Sequence, residues 1–279
     1  MLTGNALIAD IDGARLEPGE LAFWWLGQHS FILKLGASVI YVDPFLSPHP
    51  ERLVPSLISA GQMAHAHLVL GTHDHGDHID RESWPEIARA GRATFGVPDL
   101  VREGIIQDLR FPAERIFGLD DGTTVTSEGI RITGVAGAHE HLDRDLETGR
   151  HPWLGYVIEG NGCRVYHAGD TIKYEGLETR VKQHLPIDLA LLPINGRDAP
   201  RTARGIIGNM TYQEAVDLAG AIKPRLSVPA HYDMFAGNLE DPKNFVDFLD
   251  VKFPGLRVHV CRYGEKVQLD GRKENHETT

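Results

Sequence analysis

Thr72-His73-Asp74-His75-Gly76-Asp77-His78-Ile79-Asp80 is the stretch from which the rest of the chain is best read. It sets His73, His75, Asp77 and His78 in an H-x-H-x-D-H pattern, directly after the short apolar run His67–Leu70. Imidazole and carboxylate are borderline-to-hard donors, suited to Zn²⁺ or Mn²⁺ and, less well placed, iron. Alternate residues of an extended loop project to opposite sides, so His73/His75 and Asp77/His78 can serve two adjacent ions. Gly76 is read as supplying the backbone freedom of the turn. Three imidazoles packed beside carboxylates without a cation would be costly, which weighs against a merely solvated polar loop.

Outward from this motif the chain alternates short apolar runs with turn residues. Leu21–Leu26, Ser30–Leu35 and Ser38–Val42 read as consecutive antiparallel strands, and His67–Leu70 as a buried one. A helix then follows, with Asp80 as its N-cap, Trp84, Ile87 and Ala88 on one face, and Gly91 as its stop. The second half repeats this grammar in Gly129–Val135, Tyr156–Glu159, Cys163–His167 and Asp188–Pro193. Thr211-Tyr212-Gln213-Glu214 is a capping box opening a helix through Ile222, after which Leu226–Pro229 returns to the sheet. Each half is therefore expected to give strands first and helices after. With no biased linker between halves, residues 1–279 are expected to form one α/β domain, two β-sheets face to face with helices outside, and 271–279 a frayed tail.

Composition narrows the function. The 279 residues carry 28 basic and 39 acidic side chains, a net charge of −11, with 42% apolar and 24% charged residues. That balance disfavours bulk nucleic acid as a partner while leaving room for a small anionic substrate held by local arginines. Cys163 and Cys261 can form neither a disulfide framework nor a thiolate zinc site alone. Apolar runs are strand-length, so no membrane span is expected. With no basic, apolar leader in Met1–Pro18, a cytoplasmic location is expected.

At the histidine motif the sequence resembles the metallo-β-lactamase superfamily. The resemblance implies an αββα four-layer sandwich of two mixed sheets, and it supplies the remaining ligands in order. His139, in Gly137-Ala138-His139-Glu140-His141, fits the third ligand of a first ion held by His73 and His75; the alternative there is His141. Asp77, His78 and His231, the last in Pro229-Ala230-His231-Tyr232-Asp233, fit a second ion, and Asp170 in His167-Ala168-Gly169-Asp170-Thr171 fits the bridging carboxylate. Phe23–Gly27, Thr72–Asp80, Tyr166–Thr171, Asn209-Met210-Thr211 and Val228–Phe235 are similar to the L-ascorbate-6-phosphate lactonase group. That group implies two divalent ions, Zn²⁺ or Mn²⁺, activating water as a hydroxide nucleophile against a small phosphorylated lactone or similar ester; it also implies a homo-oligomer. This chain is shorter than those lactonases before the histidine motif and departs from them over His139–Trp153, both places where a substrate would be recognised.

On this reading Asp77 or Asp170 takes the proton from water, and a spare imidazole, His141 or His151, protonates the leaving oxygen. Asp74 and Asp80 are the nearest candidates in sequence to orient the ligating rings. Asn195-Gly196-Arg197-Asp198-Ala199-Pro200-Arg201-Thr202-Ala203-Arg204-Gly205 is the most basic stretch, and Asn195, Arg197, Arg201 and Arg204 are candidate anion contacts. Tyr232 is a candidate pocket wall. His167 reads as packing, while His29, His49, His65, His67, His184, His259 and His276 show no partner pattern and default to surface or satisfied core. Ala168–Thr171, Leu192–Asn195 and Met210 with Glu214-Ala215 are also similar to the N-acylphosphatidylethanolamine phospholipase D group, a phosphodiesterase alternative that would need an exposed apolar face; no stretch of the sequence reads as one. A non-catalytic metal-binding scaffold is the third alternative.

Overall fold

The computed structural model describes residues 1–272; the tail expectation for 271–279 and His276 fall almost wholly outside the described residues. Strands β1 (Leu21–Gly27), β2 (Ser30–Leu35), β3 (Ser38–Val42), β4 (Leu68–Leu70), β5 (Thr94–Pro98) and β6 (Ile116–Leu119) lie side by side in that order. Strands β7 (Thr124–Ser127), β8 (Ile130–Ala136), β9 (Leu154–Gly160), β10 (Cys163–His167), β11 (Leu189–Pro193) and β12 (Leu226–Ala230) form the second sheet, while β13 (Lys266–Leu269) closes the first by pairing with β1. Both sheets are mixed: β1–β3 and β7–β10 run antiparallel to their neighbours, whereas β3 to β6 and β10 to β12 are parallel.

Period-two alternation explains the layering. In β1, Leu21, Phe23 and Trp25 join β9 residues such as Tyr156 and Ile158 in the core between the sheets. The intervening Ala22, Trp24 and Leu26 turn the other way, onto Leu7 and Ile11 of helix α1 (Gly4–Gly13) and Trp84 and Ile87 of α2 (Trp84–Ala90). A strand buried on both faces reads as continuous apolar sequence. Helices α4 (Leu177–Lys182) and α5 (Ala199–Ala203) follow β10 and β11; on the far side, α6 (Tyr212–Ile222) and α7 (Pro242–Lys252) bury Val216, Leu218, Ile222, Phe245 and Leu249 against the second sheet. The result is the four-layer sandwich.

Helices are more interleaved than a strands-then-helices grammar suggests. α2 and α3 (Asp99–Leu109) each connect parallel neighbours, β4 to β5 and β5 to β6, because parallel pairing requires a crossover. The box at α6 forms as read: Glu214 N–H donates to Thr211 Oγ1 (3.2 Å) and Thr211 N–H to Glu214 Oε2 (3.0 Å). Asp80 is not the cap of α2, where Ser83 stands. Its carboxylate instead accepts from Leu46 N–H (2.9 Å), Ser47 N–H (2.8 Å) and Ser47 Oγ (2.6 Å), stapling the loop after β3 to the histidine motif. Among the described residues no helix is long and apolar enough to cross a membrane.

Candidate metal centre

The C-terminal ends of β4, β8, β10 and β12 open onto one crevice, the edge at which α/β sheets commonly bind ligands. The motif Thr72–Asp80 leaves β4, His139 follows β8, Asp170 follows β10, and His231 follows β12. Gly76 is not the pivot: its φ is not positive and a Cβ there meets open space. Gly169 is, with φ +61° and a hypothetical Cβ only 2.4 Å from the Leu154 carbonyl oxygen, so only glycine lets the chain turn to present Asp170.

His73, His75 and His139 bring one ring nitrogen each within 4.8 Å of the others; Asp77, His78 and His231, and His73, His78 and Asp170, do the same with ring nitrogens and a carboxylate oxygen. Asp170 lies between the groups, its oxygens 3.1 Å from His231 Nε2, 3.4 Å from His78 Nε2 and 4.0 Å from His73 Nε2. His139 is buried against this cluster and His141 is exposed, so the geometry brings His139, not His141, to the first histidine pair.

The charge state follows from burial. Desolvation drives His73 well below the ordinary imidazole range. It would lower His78 too, but Asp170, Asp43 and Asp77 reverse that and raise it well above. Burial would raise the Asp170 carboxyl, yet His231 and His78 hold it well below the usual carboxylate range. His78 Nε2 and Asp170 Oδ1 face each other at 3.4 Å with no other hydrogen-bond partner, while His139 Nδ1 and His231 Nδ1 are buried with none, a desolvation cost of about 1–3 kcal/mol each. Imidazole nitrogens and carboxylate oxygens converging without internal partners fit a divalent cation.

Asp43 orients the centre, a residue that nothing in the local sequence singles out. Fully buried and in a left-handed conformation (φ +48°), it accepts from His78 Nδ1–H (2.7 Å), Thr72 N–H (2.8 Å) and Thr72 Oγ1 (2.7 Å). Asp74, expected in that role, is tied at the surface to Arg81 (2.7 Å), and Asp80 is the loop staple already described. Gln28, in the tight turn between β1 and β2, is a second hub. Its amide donates to Asp77 Oδ2 (2.7 Å) and lies 3.2 Å from His231 Nε2, while its backbone N–H donates to Asp233 Oδ1 (2.8 Å), itself held by Tyr263 (2.9 Å). Outer partners of this kind typically cost 10–100-fold in metal affinity when removed. Gln28→Met, which keeps volume and loses the amide, is therefore expected to weaken divalent-ion binding by about 10–100-fold in calorimetric titration. Trp153 closes the side of the first histidine group, its ring centroid 4.9–5.1 Å from those of His73, His75 and His139.

A cavity of about 340 Å³ opens over the cluster, lined on its outer side by His49, Glu51, Ile206, Ile207, Phe235 and Asn238. Residues 39–232 match the family described as Beta-lactamase superfamily domain. The chain belongs to the metallo-β-lactamase superfamily. A UPF0173 metal-dependent hydrolase of Thermococcus onnurineus is 31% identical over 246 residues, covering 88% of this chain and 98% of the relative. Two solved structures share the fold: Igni18, a metallo hydrolase of Ignicoccus hospitalis (TM-score 0.71, 23% identity, 91% and 100% coverage), and an isothiocyanate hydrolase from Delia radicum gut bacteria (TM-score 0.69, 16%, 90% and 100%). The chain is a metal-dependent hydrolase.

In this metallo-β-lactamase-fold hydrolase several expected contacts fall elsewhere. His151 is bonded to Asp120 (2.9 Å), away from the cavity, and Tyr232 lines a separate 610 Å³ cavity with Trp25 and Tyr263. Arg197 is held bidentately by Glu214 (2.6 and 2.7 Å), and Arg201 by Asp198, Asn238 and the Leu239 carbonyl. Asn195 is buried, bonded to Asn238 (2.9 Å) and Asn209 (3.1 Å), and so stands behind the cavity wall. These arginines read as anion contacts because a sequence shows charges but not which acid neutralises them. Arg204 alone of the three makes no ion pair among the described residues.

His29, read from sequence as a default surface or core residue, is fully buried, 3.7 Å from Asp170 and stacked on His167 at 4.0 Å. Burial pushes His29 down to about 4 and His167 to about 3. Between the ordinary imidazole value of 6.5 and about pH 4 the unfolded chain then binds more protons than the folded one, so stability falls as pH falls. His78, raised, acts in the opposite sense and in a separate window above 6.5. Melting temperature in chelator is expected to drop steeply from pH 6.5 to 4.5 and less steeply in His167→Gln.

Proposed function

We propose that the protein cleaves an ester or lactone bond of a small anionic substrate at a pair of divalent ions, zinc or manganese. The observation that supports this most is the convergence of His73, His75, His139, Asp77, His78, His231 and Asp170 beneath an open cavity, with buried donor atoms lacking internal partners. His73, His75 and His139 would hold one ion, Asp77, His78 and His231 the other, and Asp170 both. Bound ions of this kind polarise the scissile carbonyl and lower the pKa of water. Asp77 and Asp170 line the cavity as the carboxylates able to accept the proton from attacking water. His49, not His141 or His151, is the cavity imidazole outside the cluster.

An anionic substituent is supported by Arg204, which lines a 450 Å³ cavity sharing Glu51, Ile206 and Phe235 with the first and forms no ion pair among the described residues. One observation favours a second reading, a phosphodiesterase: apolar side chains stand exposed along the two cavities, Leu53 at 53% and Ile207 at 41%. The deciding experiment is a screen of metal-loaded protein against sugar-lactone phosphates, carboxylic esters and bis(p-nitrophenyl) phosphate, with His75→Ala as control. Turnover of lactones or esters, lost in the control, is expected. Turnover of the phosphodiester alone would select the second reading, and no turnover of any would favour a scaffold.

A further inference from the structure

We infer that the cavity beside the metal centre is a subsite for an apolar acyl or aryl arm of the substrate, seated on Phe235, Ile206 and Leu53. The inference rests on the ester-hydrolase reading and names the substrate class. Three segments distant in sequence build this wall, which is why no single apolar stretch announces it. Leu53 N–H donates to the Met234 carbonyl (2.8 Å), Arg52 bridges to Phe235, and Arg204 Nη2–H donates to the Gly237 carbonyl (2.8 Å), so the segments hold one another in place. Phe235 is fixed further between Phe45 (6.3 Å between centroids) and His49 (5.5 Å, edge-on). A preformed wall avoids the ordering cost of closing on a ligand.

Continuity with the metal cavity says what occupies it. Ile206 and Phe235 line both spaces, so a group held at the cluster projects its substituent directly along them. Large apolar residues exposed together beside a catalytic cavity mark a ligand-binding groove. Arg52 guanidinium packs over the Phe45 ring at 4.5 Å and spends its donors on the Phe45, Ser47 and Val54 carbonyls, so it stiffens the floor. Arg204, at the rim, leaves room for an anionic end.

The test is a chain-length series with metal-loaded protein: p-nitrophenyl acetate, butyrate, hexanoate and octanoate. Burying a methylene is worth up to about fourfold in kcat/KM, so a rise of about two- to fourfold per carbon through hexanoate is expected. Leu53→Asp, which opposes an apolar arm at an exposed position, is expected to lower the hexanoate-to-acetate ratio about tenfold or more, and Phe235→Leu to lower it less. A flat or falling series in the parent overturns the subsite, as does an unchanged ratio in both variants. If acetate itself is not cleaved, the ester reading fails and the subsite with it; if acetate is cleaved but the series is flat, the subsite alone fails.

Discussion

Asp170→Asn is expected to abolish turnover and to release bound metal, lowering divalent-ion affinity by more than about 100-fold. The bound is set by comparison: residues that merely orient ligands cost about 10–100-fold when lost, and Asp170 faces His73, His78 and His231 directly. The amide has nearly the volume of the acid, so packing is kept while the charge is lost. In the metal-free protein that charge also answers the protonated His78, whose elevated proton affinity depends on Asp170. The variant should therefore show a His78 titration shifted downward, readable by NMR in chelator. Calorimetry of metal binding checks the main effect; retained affinity within a few-fold would remove Asp170 from the centre.

Asp43→Asn is expected to weaken metal binding by about 10–100-fold without touching the cavity. Asparagine tolerates the left-handed backbone at φ +48°, so the turn survives. What is lost is one carboxylate oxygen that accepts from both His78 Nδ1–H and Thr72 Oγ1–H. An amide NH₂ there would oppose the His78 N–H and leave a buried donor unsatisfied, adding about 1–3 kcal/mol of destabilisation. Asp74→Asn, whose carboxylate only meets Arg81 at the surface, is expected to leave both metal affinity and melting temperature unchanged. Parallel titrations and melts of the two variants separate ring orientation from general acidity.

The contrast between these two aspartates explains how much was legible in the chain. Ligands that follow strands announce themselves, because each sits where an apolar run ends: His73 after β4, His139 after β8, Asp170 after β10, His231 after β12. Residues that act through one partner far along the chain do not. Asp43 meets His78 across 35 positions and Gln28 meets His231 across 203, and neither contact leaves a local pattern. The arginine loop misled for the same reason. Arg197 is neutralised by Glu214, which also closes the capping box of α6, so one acid was legible in its local task and invisible in its distant one. Helix α3 was missed because Asp99–Leu109 buries only Ile105 and carries Gly104 mid-helix, which weakens the 3.6-residue signal. The start of α7, by contrast, is marked in the sequence by the Asp241 cap and Pro242 in its first turn.

In the proposed centre, the seven side chains of His73, His75, His139, Asp77, His78, His231 and Asp170 would hold two divalent ions side by side. Anomalous diffraction from crystals of metal-loaded protein, collected at the zinc and manganese edges, tests it most directly. Two peaks are expected, one among His73, His75 and His139 and one among Asp77, His78 and His231, with Asp170 between them. A single peak, none, or density away from Asp170 would contradict the account.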